Sequence, residues 1–372
     1  MKKYSIIFTL FFLINGFSEL QAQEEATYFE VDYAYGSILK HKAVMGHLVR
    51  AHPEFYSVSW YNTAANNSWK SAFNYYDWGM RLIHQRFNYE ALGSVTALNY
   101  FNNYYLLNRN NKHQLTYETG LGLGFNTNPL DLESNNQNVA ISSPVSFSVH
   151  MKINYKYPNI YKGVGFHTGL FFTHYSNSAV KVPNFGVNSV FLNVGLSYRP
   201  LYAQSNFYTD IEKTNIASQP IHYHIGMDFS MHEVQATLGT KPVVNLSTYV
   251  NKKLSRKHGI RLGFDFSASK AYKDYAEFRH HVFTEDSGRV LKDYKQIGVF
   301  TGYELHFNKW LFEMNVGYYL YNPLQKTPSL YQKTGFKYKI KDSKFSVGFA
   351  IKVHNFRADN TSLGVSYQLN DK

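Results

Sequence analysis

Three polar side chains stand out in the stretch His174-Tyr175-Ser176-Asn177-Ser178-Ala179-Val180-Lys181-Val182-Pro183-Asn184-Phe185-Gly186-Val187-Asn188. A hydroxyl (Ser176), an imidazole (His174) and a side-chain amide acceptor (Asn188) are the parts of a nucleophile, its base and the group that orients the base. Their use depends on the elements that carry them. In a strand, residues i and i+2 share a face, and His174 and Ser176 continue the row Val164, Phe166, Thr168, Leu170 and Phe172. The alternate row holds Gly165, His167, Gly169, Phe171, Thr173 and Tyr175 and is the less apolar of the two. Asn188 opens the apolar row of the following strand, Val190, Leu192, Val194, Leu196 and Tyr198. All three polar residues therefore fall on the greasier face, at its loop end. Either they act there on a lipid ester, or they lie in an interfacial zone that tolerates His, Ser and Asn.

The same period-two alternation runs from residue 27 to the C-terminus. Leu115, Tyr117, Thr119, Leu121, Leu123 and Phe125 alternate with Thr116, Glu118, Gly120, Gly122 and Gly124, and Phe312, Met314, Val316, Tyr318 and Leu320 alternate with Glu313, Asn315, Gly317 and Tyr319. Candidate strands run 27–39, 53–63, 78–88, 92–108, 113–126, 143–158, 164–177 and 188–199, then 221–234, 243–254, 259–270, 294–308, 310–321, 329–341, 344–355 and 361–369. Many reach the roughly 9–11 residues that cross a bilayer at a tilt. Tight turns, such as 108–112, 159–162 and 341–343, alternate with long loops, such as 127–142, 178–187 and 271–293. That asymmetry predicts an all-β fold, a closed antiparallel transmembrane β-barrel of about 14–16 strands. Two connections, 64–77 and 200–220, are long where short ones are expected. Two eight-stranded barrels split near 200–220 are therefore the competing architecture.

Composition agrees with this. The 372 residues include 32 Tyr, 29 Phe and 4 Trp, yet charged residues make up only 17%, against about 25% in an ordinary soluble domain. Barrels place aromatic girdles at both membrane interfaces and polar residues in the lumen, which accounts for many aromatics beside a mean hydropathy of −0.37. The absence of cysteine excludes a disulfide framework, Cys-ligated zinc and a thiol nucleophile. Lys2 and Lys3 precede an apolar run, Tyr4 to Phe17, and then Leu20-Gln21-Ala22. This reads as a cleaved signal peptide over 1–22, which sends the mature chain, 23–372, to the outer membrane.

Weaker candidates are read as structural. His280-His281 with Glu285 and Asp286 belong to a long external loop, and His222 and His224 share a strand face without a third ligand nearby. No metal or other cofactor is expected. The net charge of +12 suits lipopolysaccharide phosphates or anionic headgroups better than nucleic acid, which an exported barrel seldom meets.

His174-Tyr175-Ser176-Asn177, followed by Lys181 and Pro183-Asn184-Phe185-Gly186, resembles the lipid A 3-O-deacylase family of outer-membrane barrels. The resemblance is densest over about 90–200 and includes Gly120-Leu121-Gly122-Leu123-Gly124. A longer branch, the acyloxyacyl hydrolases, is similar over nearly the whole mature chain, including Tyr331-Gln332-Lys333-Thr334-Gly335 and Gly364-Val365-Ser366-Tyr367. The deacylase-like segment is thus 27–200, with further barrel strands over 201–372. The resemblance implies an esterase in which Ser176 is the nucleophile, His174 the general base and Asn177 a stabiliser of the oxyanion, acting on lipid A or phospholipid. The family's acid is replaced by Asn188, whose amide can orient the imidazole but not neutralise an imidazolium. Outer-membrane phospholipase A is similar in having His-x-Ser-Asn with an Asn 14 residues after the His. Its calcium-dependent dimerisation has no acidic cluster here to support it.

Overall fold

A strand with apolar side chains on one face and polar ones on the other is stable only if each face meets its own solvent and both edges are hydrogen-bonded. Sixteen such strands form in the computed structural model, which describes residues 27–63, 73–200, 220–236, 238–282, 293–355 and 357–370. The proposed signal peptide lies outside them. The first eight strands are β1 Thr27–Ile38, β2 Glu54–Asn62, β3 Asp77–Arg86, β4 Ser94–Tyr105, β5 Gln114–Asn126, β6 Val145–Tyr161, β7 Val164–Ser176 and β8 Val187–Tyr198. The second eight are β9 Ile221–His232, β10 Lys241–Lys253, β11 His258–Ser269, β12 Gln296–Phe307, β13 Trp310–Tyr321, β14 Leu330–Lys339, β15 Phe345–His354 and β16 Arg357–Gln368.

The strands close as two antiparallel barrels rather than one. β8 returns to pair with β1, from Phe29 opposite Tyr198 to Ile38 opposite Ser189. β16 pairs with β9, Leu363 opposite Phe229. The all-β reading and the strand boundaries hold to within a few residues, but the single barrel of 14–16 strands does not. The long 200–220 connection falls between β8 and β9 in sequence, and its residues 201–219 lie outside the described residues.

The alternation resolves into outside and inside. On β1, Phe29, Val31, Tyr33 and Tyr35 are exposed while Glu30, Asp32 and Ala34 are buried. On β9, Ile221, Tyr223, Ile225, Met227, Phe229 and Met231 form an unbroken outward row. Trp60, Trp78 and Tyr100 pack ring against ring across β2, β3 and β4 toward the short-turn rim, where an aromatic girdle is expected.

An eight-stranded barrel is only wide enough for its interior to be filled by side chains, and these interiors are filled by ion pairs. In the first barrel the Arg81 guanidinium donates to Asp32 at 2.6 Å, to Ser57 Oγ at 2.9 Å and to the Tyr61 hydroxyl at 2.7 Å, and pairs with Glu118 at 3.0 Å. Lys152 reaches Asp32 at 2.9 Å and Glu30 at 3.2 Å, and Lys156 pairs with Glu30. His150 contacts Glu118 at 2.9 Å and His167 contacts Asp32 at 2.7 Å. Gly120 makes room for this network, since a Cβ there would lie 2.3 Å from His150 Cε1. In the second barrel Arg261 and Lys337 pair with Glu313, Lys333 pairs with Asp228, and Asn251 donates to Glu304.

A second difference from expectation is a helix, α1 (Lys270–Val282), in the long connection after β11. Ser269 Oγ accepts the Tyr272 N–H at 3.1 Å, an N-cap bond. Tyr272 and Ala276 pack on Leu324, Val234 and Tyr294. His280 and His281 therefore stand on a helix rather than a loop, while Glu285 and Asp286 lie outside the described residues. No helix among the described residues is long and apolar enough to cross a membrane.

Removing Arg81 would leave Asp32 and Glu118 buried with a cation missing, a change that costs about 3–5 kcal/mol for a buried pair. Arg81→Met is expected to lower the unfolding midpoint of the first barrel markedly, read as loss of the heat-modifiable gel shift at lower urea.

Candidate active site

β7 and β8 meet at the long-loop rim, and their register places His174 directly opposite Asn188. The inward neighbours of these residues, Tyr175 and Val187, are fully buried in an apolar cluster with Ile38, Met45, Phe87, Leu92 and Ile141. That cluster closes the rim of the first barrel and fixes the strand ends, so the outward residues project from a rigid base. His174, Ser176 and Asn188 lie in phase with outward Leu170, Phe172, Val190 and Leu192 and are part-buried. The face assigned from alternation is the face observed.

His174 Nδ1 donates to Asn188 Oδ1 at 2.6 Å. This bond leaves Nε2 as the free nitrogen of a neutral ring. Ser176 Oγ accepts two hydrogen bonds, from Asn184 Nδ2 at 2.8 Å and from the Ser178 N–H at 3.2 Å. Its own proton is then available for transfer. No direct bond joins His174 to Ser176 among the described residues, and catalytic contacts of this kind tighten when substrate binds. Gly186 lies against both side chains. It has φ of 72°, and a Cβ there would lie 2.9 Å from His174 Cε1 and 3.3 Å from Ser176 Cβ.

Asn177 is placed differently from expectation. Its side-chain amide is buried and donates to Ser142 Oγ at 2.9 Å and to the Lys181 carbonyl at 3.0 Å. The side chain is thus committed to holding the loop. The Asn177 backbone N–H bonds to Asn184 Oδ1 at 3.3 Å. The side chain that bonds to Ser176 Oγ is that of Asn184, which alternation did not single out because it lies in a loop without a period.

The loop after Ser176 is held in an uncommon conformation. Ser178 and Ala179 have φ of 55° and 61°, which costs of order 1–3 kcal/mol for a non-glycine residue unless the surroundings enforce it. The surroundings here include the second barrel. The Glu233 N–H donates to the Ala179 carbonyl at 2.9 Å, the Glu233 carboxylate accepts the Val182 N–H at 2.7 Å, and Thr240 Oγ1 donates to the Val180 carbonyl at 2.7 Å. Thr361 donates to Ser178 Oγ.

Glu30, Asp32 and His167 bring three possible ligand atoms within 4.8 Å of one another, but Lys152, Lys156 and Arg81 already neutralise the two carboxylates. His222 and His224 bond to Gln368 and Asn251 respectively. These groups read as lumen structure.

Two closed antiparallel barrels with unbroken apolar outer rows are the architecture of an outer-membrane β-barrel protein. Residues 54–197 match the lipid A 3-O-deacylase (PagL) family, and residues 221–371 match the family described as acyloxyacyl hydrolase, C-terminal domain. Each barrel thus carries its own match, the first to the lipid A 3-O-deacylases and the second to the acyloxyacyl hydrolase C-terminal domain, and the chain is an outer-membrane ester hydrolase. Among solved structures, the outer membrane enzyme PagL is 17% identical, with 45% of this chain and 97% of that chain covered and a TM-score of 0.34. An engineered Rh. blastica porin is 7% identical over 93% of this chain and 100% of its own, with a TM-score of 0.21. CdiB from Acinetobacter baumannii is 9% identical over 94% of this chain and 61% of its own, with a TM-score of 0.19. Likenesses of this degree carry no argument of their own. No curated protein matches the chain.

Gly186 offers a direct check on the site. Gly186→Ala forces a left-handed alanine against both His174 and Ser176, and a displacement of about 1 Å at a reacting group costs roughly 10²-fold in rate. Ester hydrolysis is expected to fall by about that factor, while the heat-modifiable gel shift stays unchanged.

Proposed function

We propose that this protein hydrolyses an ester-linked acyl chain of lipid A, with Ser176 as nucleophile and His174 as general base. The observation that carries the reading is the 2.6 Å bond from His174 Nδ1 to Asn188 Oδ1 on the lipid-facing row that also carries Ser176. His174 Nε2 takes the Ser176 proton as Oγ adds to the ester carbonyl. The Asn184 amide and the Ser178 N–H, both bonded to Oγ before attack, are the nearest donors, and once Oγ is acylated they are free to turn to the adjacent oxyanion. His174 then delivers the proton to the departing sugar oxygen, and water repeats the sequence on the acyl-enzyme to release a fatty acid. Asn188 keeps the proton on Nδ1 throughout.

An amide in place of a carboxylate lacks charge to stabilise the imidazolium. This third member favours a second reading, a phospholipase with the same machinery, because outer-membrane phospholipase A is similar in having Asn at that position. A conducting pore is disfavoured by the ion pairs that fill the first lumen.

Mass spectrometry of lipid A and phospholipids from expressing cells separates these readings. Wild type is expected to shorten lipid A by one acyl chain, and Ser176→Ala and His174→Ala are expected to lose about 10³-fold or more of that activity. Loss of an acyl chain from phospholipid alone would select the second reading. Identical lipid profiles for wild type and both variants, with surface-folded protein confirmed, would refute catalysis at this site. Asn188→Ala is expected to lose about tenfold, the worth of one hydrogen bond, and Asn188→Glu to retain or raise activity on lipid A.

A further inference from the structure

An asparagine can orient a histidine only if its oxygen, not its nitrogen, faces the ring. Reversed, Asn188 would present Nδ2 to His174, and the imidazole would have to put its lone pair on Nδ1 and its proton on Nε2, where it cannot accept from serine. Something must therefore set the amide. Asn188 Nδ2 lies 3.2 Å from Nδ1 of His41, a residue of the β1–β2 connection 147 positions away in sequence. His41 Nε2 lies 3.0 Å from the Phe185 carbonyl, which only accepts, so in the neutral ring the proton is on Nε2 and Nδ1 carries a lone pair. The Leu39 carbonyl, 3.3 Å from the same Nδ1, is the longer contact and finds no proton there.

We propose that His41 is a positioning residue of the hydrolase site, accepting the Asn188 amide N–H and so turning the Asn188 oxygen toward His174. The proposal rests on the reading of Ser176, His174 and Asn188 given above. A chain of defined donors results: Asn188 Nδ2 donates to His41, His174 Nδ1 donates to Asn188, and His174 Nε2 is left free for Ser176. His41 also ties the β1–β2 connection to Phe185, so a purely structural role is the rival to be separated.

Aspartate makes the separation, because both its oxygens accept and neither orientation is wrong. Turnover of purified lipid A in mixed micelles is measured for wild type, His41→Ala, Asn188→Asp and the double variant, all full-length. His41→Ala is expected to lower kcat about tenfold, one hydrogen bond's worth, with KM nearly unchanged, and to cost less than about twofold in the Asn188→Asp background. An equal loss in both backgrounds, or no loss in the native one, overturns the proposal. Should Asn188→Asp lack turnover, His41→Gln decides: its Oε1 can accept the same N–H, and failure to recover activity over His41→Ala overturns the role. Ser176→Ala runs beside them. Its inactivity confines any failure to His41, whereas its retained turnover would refute the site and the role of His41 with it.

Discussion

An unpaired backbone N–H or C=O costs several kcal/mol in hydrocarbon, and no water is there to satisfy it. A sheet in that solvent has to close, and closure dictates the rest of this architecture. β8 must find β1 and β16 must find β9, so each group of eight strands becomes a tube with an outside that is lipid and an inside that is not. Every strand then carries an apolar row and a polar row. The side-chain chemistry of any position is decided first by which row it occupies.

The inward row creates a second demand. Eight strands leave no room for bulk water, so lumen charges have to satisfy one another. In the first barrel the acids Glu30, Asp32 and Glu118 are matched by Arg81, Lys152 and Lys156. Pairing of this sort holds the wall at fixed diameter from within, as the Tyr175 and Val187 cluster does at the rim. The outward side chains of β7 and β8 inherit that rigidity, and the short His174–Asn188 bond is built on it.

Most of the fold was legible because period two is a local signal. Strand boundaries, the long-loop rim and the outward placement of His174, Ser176 and Asn188 come from residues within one strand. Closure was legible but the pair of strands that closes was not, since nothing in Leu192 or Val194 says that their partner is Tyr35 or Tyr33 rather than a later strand. α1 was hidden by its polarity: Ala271, Tyr272 and Ala276 are its only buried residues, too few to outweigh the Lys, Glu and His around them. Within the site, the loop residue Asn184 and the distant His41 reach it only through turns, where side-chain direction has no period. Asn177 shows the converse, a residue beside the serine in sequence whose amide points elsewhere.

The outward row that carries His174 and Ser176 also sets the dimensionality of encounter. A side chain on that row meets its surroundings across a leaflet, by lateral diffusion, and not from a solution above it. The quantity that governs how often an ester arrives is then a surface density, the fraction of the leaflet that is substrate. Inert lipid or detergent added at constant bulk substrate dilutes that fraction and slows arrival, although no molecule of substrate has been removed from the vessel.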